Sequence, residues 1–299
     1  MAMLFFCLSV RAQEKSDVVL KVAPLFFDLQ IDPGGEKTGK IYIENASDQE
    51  LDIVAEASDF FIDTTGNYIF SDNKSIANPE LKPYLMREWF KLDADNLKLA
   101  PGEGKNVEYR VQVPGDAALG GHYGSIFFRT LCTLSQDEHV IATDKSSLCV
   151  AGRVGVLFLV QVGGHAIKSG EINHIKLPKI TFENEANLLV EIKNTGNTHF
   201  IPSGNIKVAG LIGQNRQEIE IGNKILLPKQ QYNFQTKIKG GDILGIYKIN
   251  GSIKDGDGHN LSFQRYIFIP QWEKLVIIIL IIMGLFYFYK KFRFQKKGM

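Results

Sequence analysis

Gly34 and the pair Gly39-Lys40 stand at the spacing of a phosphate-binding loop, in which glycine backbone N–H groups wrap the anion and a lysine neutralises it. The chemistry fails at the next position. Ile41 stands where such a loop needs Ser or Thr for magnesium, and the residues beyond it alternate as a strand, so no helix N-terminus points at a phosphate. A solvated turn before a strand fits these residues better. The six histidines, His122, His139, His165, His174, His199 and His259, show no HExxH-type spacing and border no cysteine pair. They are read as surface or edge residues rather than zinc ligands. Asp63-Thr64-Thr65-Gly66-Asn67 and Asp255-Gly256-Asp257-Gly258 offer oxygen donors, but neither has the sixth-position glycine and later bidentate glutamate of a calcium loop, so both read as hairpin turns. No GxSxG elbow occurs, and sequence order groups no Ser, His and Asp. No catalytic residue, metal or cofactor is assigned, and the chain is read as a non-enzyme.

What remains is chemistry done by surfaces. Phe60-Phe61-Ile62, Tyr68-Ile69-Phe70, Tyr84, Trp89 and Phe90 form an aromatic-rich stretch broken by Asn, Asp, Ser and Pro. Tyr68, Tyr84 and Trp89 are its candidate ligand contacts, rings able to stack on sugar faces or anchor a partner. The alternative is that Trp89 and its neighbours plug a core. In Gly120-Gly121-His122-Tyr123 the glycines serve backbone dihedrals rather than contact.

The elements that position these groups have period two. Val107, Tyr109, Val111 and Val113 alternate with Asn106, Glu108, Arg110 and Gln112, as a half-buried strand requires. Tyr247, Ile249, Gly251 and Ile253 do the same against Lys248, Asn250, Ser252 and Lys254, and Val190 and Ile192 against Glu191 and Lys193. Turn signals such as Asp32-Pro33-Gly34-Gly35, Pro101-Gly102, Pro114-Gly115-Asp116 and Asn194-Thr195-Gly196-Asn197 punctuate the strands. The fold class is all-β, two tandem immunoglobulin-like β-sandwiches followed by one C-terminal transmembrane α-helix. A weak internal repeat supports the pairing. Ile43-Glu44-Asn45, Leu99-Ala100-Pro101-Gly102 and Leu119-Gly120-Gly121-His122-Tyr123 recur in order and chemistry as Ile192-Lys193-Asn194, Leu227-Pro228-Lys229 and Leu244-Gly245-Ile246-Tyr247. The first sandwich is placed at 17–163, with extra chain from about Phe60 to Trp89, and the second at 165–270.

The two ends set the compartment. Leu275 to Tyr289 carries no charge and is followed by Lys290, Lys291, Arg293, Lys296 and Lys297. As a helix the uncharged run spans roughly 22 Å at ~1.5 Å per residue, short of a ~30 Å hydrocarbon core, so its flanks must complete the span. Trp272, Lys290 and Lys291 are its membrane-interface anchors, with the transmembrane helix at 273–290 and a basic cytoplasmic tail at 291–299. Everything before Trp272 is then outside the cytoplasm. Residues 1–12 read as the remnant of a signal peptide: an apolar Leu4 to Val10 is followed by Val10-Arg11-Ala12, small residues at cleavage-site spacing. A hydrophobic first strand is the alternative. In an oxidising exterior Cys132 and Cys149, which bracket a polar stretch between strand-like segments, are a disulfide candidate, with two free buried thiols as the alternative.

Leu25 to Gly34, then Gly39 to Asn45, Pro101-Gly102 and the stretch Pro114 to Phe128 resemble the first domain of the WxL-interacting surface proteins of bacteria. The resemblance implies a signal peptide, two immunoglobulin-like domains, a single C-terminal transmembrane helix and a short basic tail. It also implies peptidoglycan binding by the first domain and binding of a host or partner protein by the second. It carries over no individual ligand-contacting residue.

The expected function is that of a non-catalytic, membrane-anchored cell-surface scaffold holding peptidoglycan or a secreted partner protein near the membrane. The alternative is a chaperone-like assembly factor for surface proteins that works through edge-strand pairing. Charge narrows the partners. The 299 residues carry 34 Lys+Arg against 33 Asp+Glu, a net of +1, and removing the five tail cations leaves 29 basic against 33 acidic, or −4. A mildly acidic exterior lacks the basic face that nucleic acid or a nucleotide polyanion would need. A hydrophobic content of 44% supplies ample core.

Overall fold

In the computed structural model the described residues are 19–71, 79–93, 96–131, 152–211, 216–241 and 245–295, and within the last stretch the side chains of 275, 288 and 291–295 are outside the description. The signal-peptide remnant at 1–12, the pair Cys132 and Cys149, and the Lys291 side chain with the tail that follows lie outside the described residues.

The strands are β1 (Leu20–Ala23), β2 (Phe26–Ile31), β3 (Glu36–Asn45), β4 (Leu51–Ile62), β5 (Tyr68–Ser71), β6 (Phe90–Leu92), β7 (Asn96–Leu99), β8 (Gly104–Gln112), β9 (Gly120–Thr130) and β10 (Arg153–Val162). They continue as β11 (Gly170–Lys176), β12 (Glu185–Asn194), β13 (Ser203–Gly210), β14 (Arg216–Ile221), β15 (Gln231–Lys239), β16 (Ile246–Lys254) and β17 (Asn260–Phe268), before a helix α1 (Trp272–Gln295). Four sheets result, ordered β1-β3-β8-β6, β2-β10-β9-β4-β5 with β7 also on β4, β11-β12-β15, and β14-β13-β16-β17. By contact the chain falls into two compact units. The first is Met1–Asp59, Leu85–Ala117 and Tyr123–Val160; the second is Phe60–Tyr84, Ala118–His122 and Gln161–Met299.

Alternation builds both cores. In the first unit Ile41 faces Val107 across the β3–β8 ladder and Ile43, Tyr109 and Val111 follow on the same side, all buried, while Lys40, Glu108 and Arg110 point out. Phe158 of β10 is the hub beneath them, with Phe27, Phe90 and Tyr109 rings 4.8 to 4.9 Å from its own. Burial pushes the Tyr109 hydroxyl up to about 12. Each such apolar side chain removed from water contributes ~1.5–3 kcal/mol, which offsets the entropy lost on ordering it. In the second unit Leu188, Val190 and Ile192 of β12 pack with Ile206, Val208, Tyr247, Ile249 and Ile253 of the opposing sheet.

The weak sequence repeat corresponds to one corner built twice. Asn45 ends β3 and Asn194 ends β12, and both are wholly buried. Asn45 Nδ2 donates to Gln49 O, Leu99 O and Ala100 O at 2.7 to 3.1 Å, while its Oδ1 accepts from Ser47. Asn194 Nδ2 donates to Thr198 O and Leu226 O, both at 2.8 Å, and its Oδ1 accepts the Gly196 N–H. The backbone matches as well. Asn45 N–H donates to Glu103 O and its carbonyl accepts from Gly102; Asn194 N–H donates to Gln230 O and its carbonyl accepts from Lys229. The strand orders β1-β3-β8 and β11-β12-β15 are the same.

The aromatic stretch from Phe60 is held within the second unit by its backbone. Thr64 O accepts the Asn233 N–H at 2.7 Å, and Ile62 N–H donates to Gln230 Oε1 at 3.0 Å. At the far end of the chain, α1 runs for 24 residues with most of its described apolar side chains exposed, among them Ile279 and Leu285. Among the described residues no helix is long and apolar enough to cross a membrane. The described residues therefore do not support the transmembrane helix expected at 273–290.

Candidate binding face

The outward positions of β1, β3 and β8 meet in one place. Lys21 lies opposite Glu44, Ala23 opposite Tyr42 on one side, and Asn106 opposite Tyr42 on the other, while Gly104 lies opposite Glu44. Because period two puts Ile41 and Ile43 inward, Tyr42 must stand on the outer face of the sheet. Its ring does not project away from the strand. The phenol end, hydroxyl oxygen and adjoining ring carbon alike, fills the space a Cβ at position 104 would take, so only glycine lets the ring lie down across β8. Tyr42 is nevertheless 41% exposed. It is an aromatic platform seated on backbone.

Polar groups surround the platform. Tyr42 donates its O–H to Glu44 Oε2 at 3.3 Å, and Lys21 Nζ donates to Glu44 Oε1 at 3.0 Å. That lysine holds the Glu44 carboxyl below the usual carboxylate range, so Glu44 is ionised at neutral pH. Further along the face Lys40 pairs with Glu108 at 2.8 Å and Arg110 with Glu36 at 3.5 Å. An aromatic flanked by a cation, an anion and the Asn106 amide can stack on a sugar face and hydrogen-bond its hydroxyl, amide and carboxylate substituents. Nothing in the arrangement activates a nucleophile.

Residues 5–130 match the family described as "WxL Interacting Protein, peptidoglycan binding domain". Over these residues the chain is similar to that family. The matched segment contains every residue of the Tyr42 face, and the resemblance read from Leu25 to Phe128 is borne out. No curated relative matches the chain. Among solved structures it is similar to the class 5 fimbriae chaperone CfaA, at 12% identity over 83% of this chain and 99% of that one, with a TM-score of 0.43. It is also similar to the CsuC–CsuE chaperone–tip adhesion subunit complex of Acinetobacter baumannii, at 10% identity over 82% and 97%, TM-score 0.42. The E. coli chaperone DraB gives 11% identity over 84% and 97%, TM-score 0.37. These likenesses are too distant to bear on function.

The aromatics singled out in the sequence fall in different places. Tyr68, in β5, is exposed, stacks on Phe70 at 6.4 Å and tilts against Phe60 at 5.8 Å. Tyr84 closes the 3-10 turn Pro79–Tyr84, where burial raises its hydroxyl above the ordinary value. Both belong to the second unit, whereas Trp89 belongs to the first, half-buried at the end of the 3-10 turn Arg87–Trp89. Asp59 caps that turn, its Oδ1 accepting the Met86 and Arg87 N–H groups at 2.9 and 2.7 Å; burial lifts its carboxyl above the usual range against the pull of those bonds. Trp272 is exposed and stacks on Phe182 at 5.9 Å; Lys290 is exposed as well.

The acidic loops spend their carboxylates on their own backbone. Asp63 Oδ1 accepts from the Asn67 and Thr65 N–H groups and the Thr65 hydroxyl, which together hold its carboxyl at about 2. Asp255 accepts the N–H groups of Gly170, Asp257 and His259 and the His259 ring at 3.1 Å. Burial alone would push its carboxyl up; the His259 ring and N–H bonds outweigh that and lower it. Gly39 of the phosphate-loop mimic is opposite Tyr109, whose ring occupies the place of its missing Cβ. Among the described residues no group of His, Cys, Asp and Glu is placed to hold a metal ion.

Sequence reasoning missed Tyr42. Two signals for it were present: it is the one aromatic among the outward β3 positions Glu36, Thr38, Lys40, Tyr42 and Glu44, and a glycine opens the neighbouring strand at 104.

Proposed function

We propose that the protein is a non-catalytic scaffold of the bacterial cell surface that holds peptidoglycan against the outer face of β1, β3 and β8. The observation that carries this is the Tyr42 platform, laid across Gly104 inside the segment that matches a peptidoglycan-binding family. Peptidoglycan is built of strands of N-acetyl sugars that carry carboxylate-bearing peptide side branches. A flat ring suits the first, and Lys21 and Asn106 suit the second. The ectodomain stands outside the cytoplasm and the C-terminus inside, with α1 holding the chain to the membrane between Trp272 and the cations from Lys290 onward. The exposed apolar side chains of α1 and the Phe182–Trp272 pair at its base support that placement.

The full chain in detergent, spun with purified insoluble peptidoglycan, is expected to sediment with it. Tyr42→Ala removes an aromatic anchor worth ~1–2 kcal/mol and should weaken binding about 5- to 30-fold. A wild-type chain that stays in the supernatant, or a Tyr42→Ala chain that sediments equally, refutes the proposal. For the anchor, alkaline carbonate should leave the chain in the membrane pellet, and release would refute it.

A further inference from the structure

The second unit is left open along one side, where β11 edges one sheet and β17 edges the other. The segment that follows β11 bridges to the β17 edge. Phe268 N–H donates to Lys179 O at 2.9 Å and Thr181 N–H donates to Phe268 O at 3.1 Å, a parallel bridge between Ile180 and Phe268. Away from it the edges separate around a cleft of about 770 Å³.

Strand parity fixes what faces this cleft. Phe268 points its backbone outward, so Tyr266 and Gln264 do also, since successive peptide groups alternate sides. On the other side Asn233 donates away from β12, which turns the backbone of Glu191 toward β11; His174, opposite Glu191, faces back, and Ile175 therefore faces the cleft. Among the described residues no hydrogen bond reaches the N–H or C=O of Ile175 on this side, or the outward N–H groups of Gln264 and Tyr266. Gln264 O accepts only from the neighbouring Arg265 guanidinium, at 2.9 Å. Outward N–H groups two residues apart on β17, with the backbone groups of Ile175 on the facing edge, select another polypeptide backbone. A glycan or lipid offers no matching ladder.

The side chains say what that polypeptide carries. Leu177, Ile267 and Phe268 supply apolar lining, with Tyr266 exposed at the rim. The charges lining the cleft are Lys179 and Arg265, and no carboxylate is among its lining residues. We infer that this cleft takes an extended segment of a partner protein that alternates apolar with acidic residues and completes the sheet edge at β11 or β17. The proposal goes beyond wall binding and does not depend on it, since every group it uses lies in the second unit.

The probe is a labelled octapeptide alternating Val with Glu, capped at both ends, titrated by fluorescence anisotropy into the full chain in detergent. Saturable binding is expected. The same peptide with alternate amides N-methylated on its pairing edge should bind at least 10-fold more weakly, as should a Val/Lys counterpart. The double variant Lys179→Glu, Arg265→Glu should invert the preference, favouring the Val/Lys peptide. Tyr266→Pro, which removes one outward N–H on an edge strand where proline is tolerated, should weaken Val/Glu binding without changing sedimentation with peptidoglycan. No binding by the wild-type chain, binding indifferent to N-methylation, or binding unaffected by the charge reversal would each overturn the inference. So would a self-association of the chain that Tyr266→Pro abolishes, since a second copy would then fill the cleft.

Discussion

Replacing Asn194 by alanine tests the twin corner at its most buried point. Three hydrogen bonds go: two from Nδ2 to Thr198 O and Leu226 O at 2.8 Å, and one from the Gly196 N–H to Oδ1 at 2.8 Å. Their partners are not equally harmed. Leu226 O keeps the Phe200 N–H at 3.2 Å and Gly196 N–H keeps Ser169 O at 3.1 Å, so Thr198 O is the group left without its donor. At ~1 kcal/mol net per bond plus ~1–3 kcal/mol for the desolvation of one orphaned carbonyl, the loss comes to about 4–6 kcal/mol, a large share of the ~5–15 kcal/mol of an ordinary domain. Asn194→Asp separates the roles of the two side-chain atoms. Oδ1 still serves Gly196, but the second carboxylate oxygen faces Thr198 O and Leu226 O, so its folded-state pKa rises above the unfolded value of ~3.9. A group with a raised folded pKa favours the fold below its unfolded pKa and loses that contribution as pH rises through the folded one. Asn194→Asp should therefore be nearly native in stability at pH 4 and strongly destabilised at pH 7. Urea denaturation of the full chain in detergent, in a Trp89→Phe background so that Trp272 reports the second unit, measures both variants. A loss below 1 kcal/mol for Asn194→Ala, or no recovery of Asn194→Asp toward pH 4, would refute the reasoning.

The remaining predictions concern backbone strain and carboxylates. Gly102 and Lys229 hold the same place in the two corners with φ of 73° and 61°, a left-handed conformation that costs a side-chain-bearing residue ~1–2 kcal/mol; Lys229→Gly should raise stability by about 0.5–1 kcal/mol in urea titrations, and Gly102→Ala should lower it by about 1 kcal/mol. Asp255, held low in the folded state, contributes stability above its unfolded pKa that is lost as pH falls through the folded one, so Asp255→Asn should cost stability at pH 7 and flatten the acid limb of the stability profile. A carbon NMR titration of the Asp63 carboxyl should give a midpoint of about 2 in the native chain and an ordinary value after Thr65→Ala, Asn67→Ala.

Much of this structure was legible because a half-buried strand writes its burial into alternate letters. Val107, Tyr109 and Val111, and Tyr247, Ile249 and Ile253, are buried as their alternation requires. The corner around Asn45 and Asn194 was also visible as an ordered repeat, since a buried amide feeding several carbonyls cannot be exchanged for another residue type. What alternation cannot say is which unit a segment joins. The aromatics after Phe60 are compatible with either sandwich by pattern, and only long-range bonds such as Asn233 N–H to Thr64 O assign them to the second unit. Tyr42 escaped notice for a related reason. Its significance lies in a glycine 62 residues away in sequence and beside it in space, and cross-strand register is not written in either strand alone.

The two sandwiches also supply an internal control for the binding face. Counting from the twin asparagines, Glu191 holds the place of Tyr42, and counting from the carbonyls of Glu103 and Gln230 that accept their N–H groups, Gln231 holds the place of Gly104. The second unit fills that site with polar side chains, Asn173 Nδ2 reaching Glu191 Oε2 and Gln231 Oε1 at 3.4 Å each. The corner and the strand ladders beneath form equally well with either filling, so the fold does not demand an aromatic at position 42. Tyr42→Glu should then cost no more than about 1 kcal/mol, because an outward position on a paired strand loses one partly exposed ring and one hydroxyl contact to Glu44. Its sedimentation with peptidoglycan should nonetheless fall to the level of the Tyr42→Ala chain, since a carboxylate cannot stack on a sugar face and repels acidic peptides. Measuring both on the same preparation decides between two accounts of one residue. A Tyr42→Glu chain that loses more than about 2 kcal/mol would make Tyr42 a structural cover for Gly104, and the loss of binding would then say nothing about a platform.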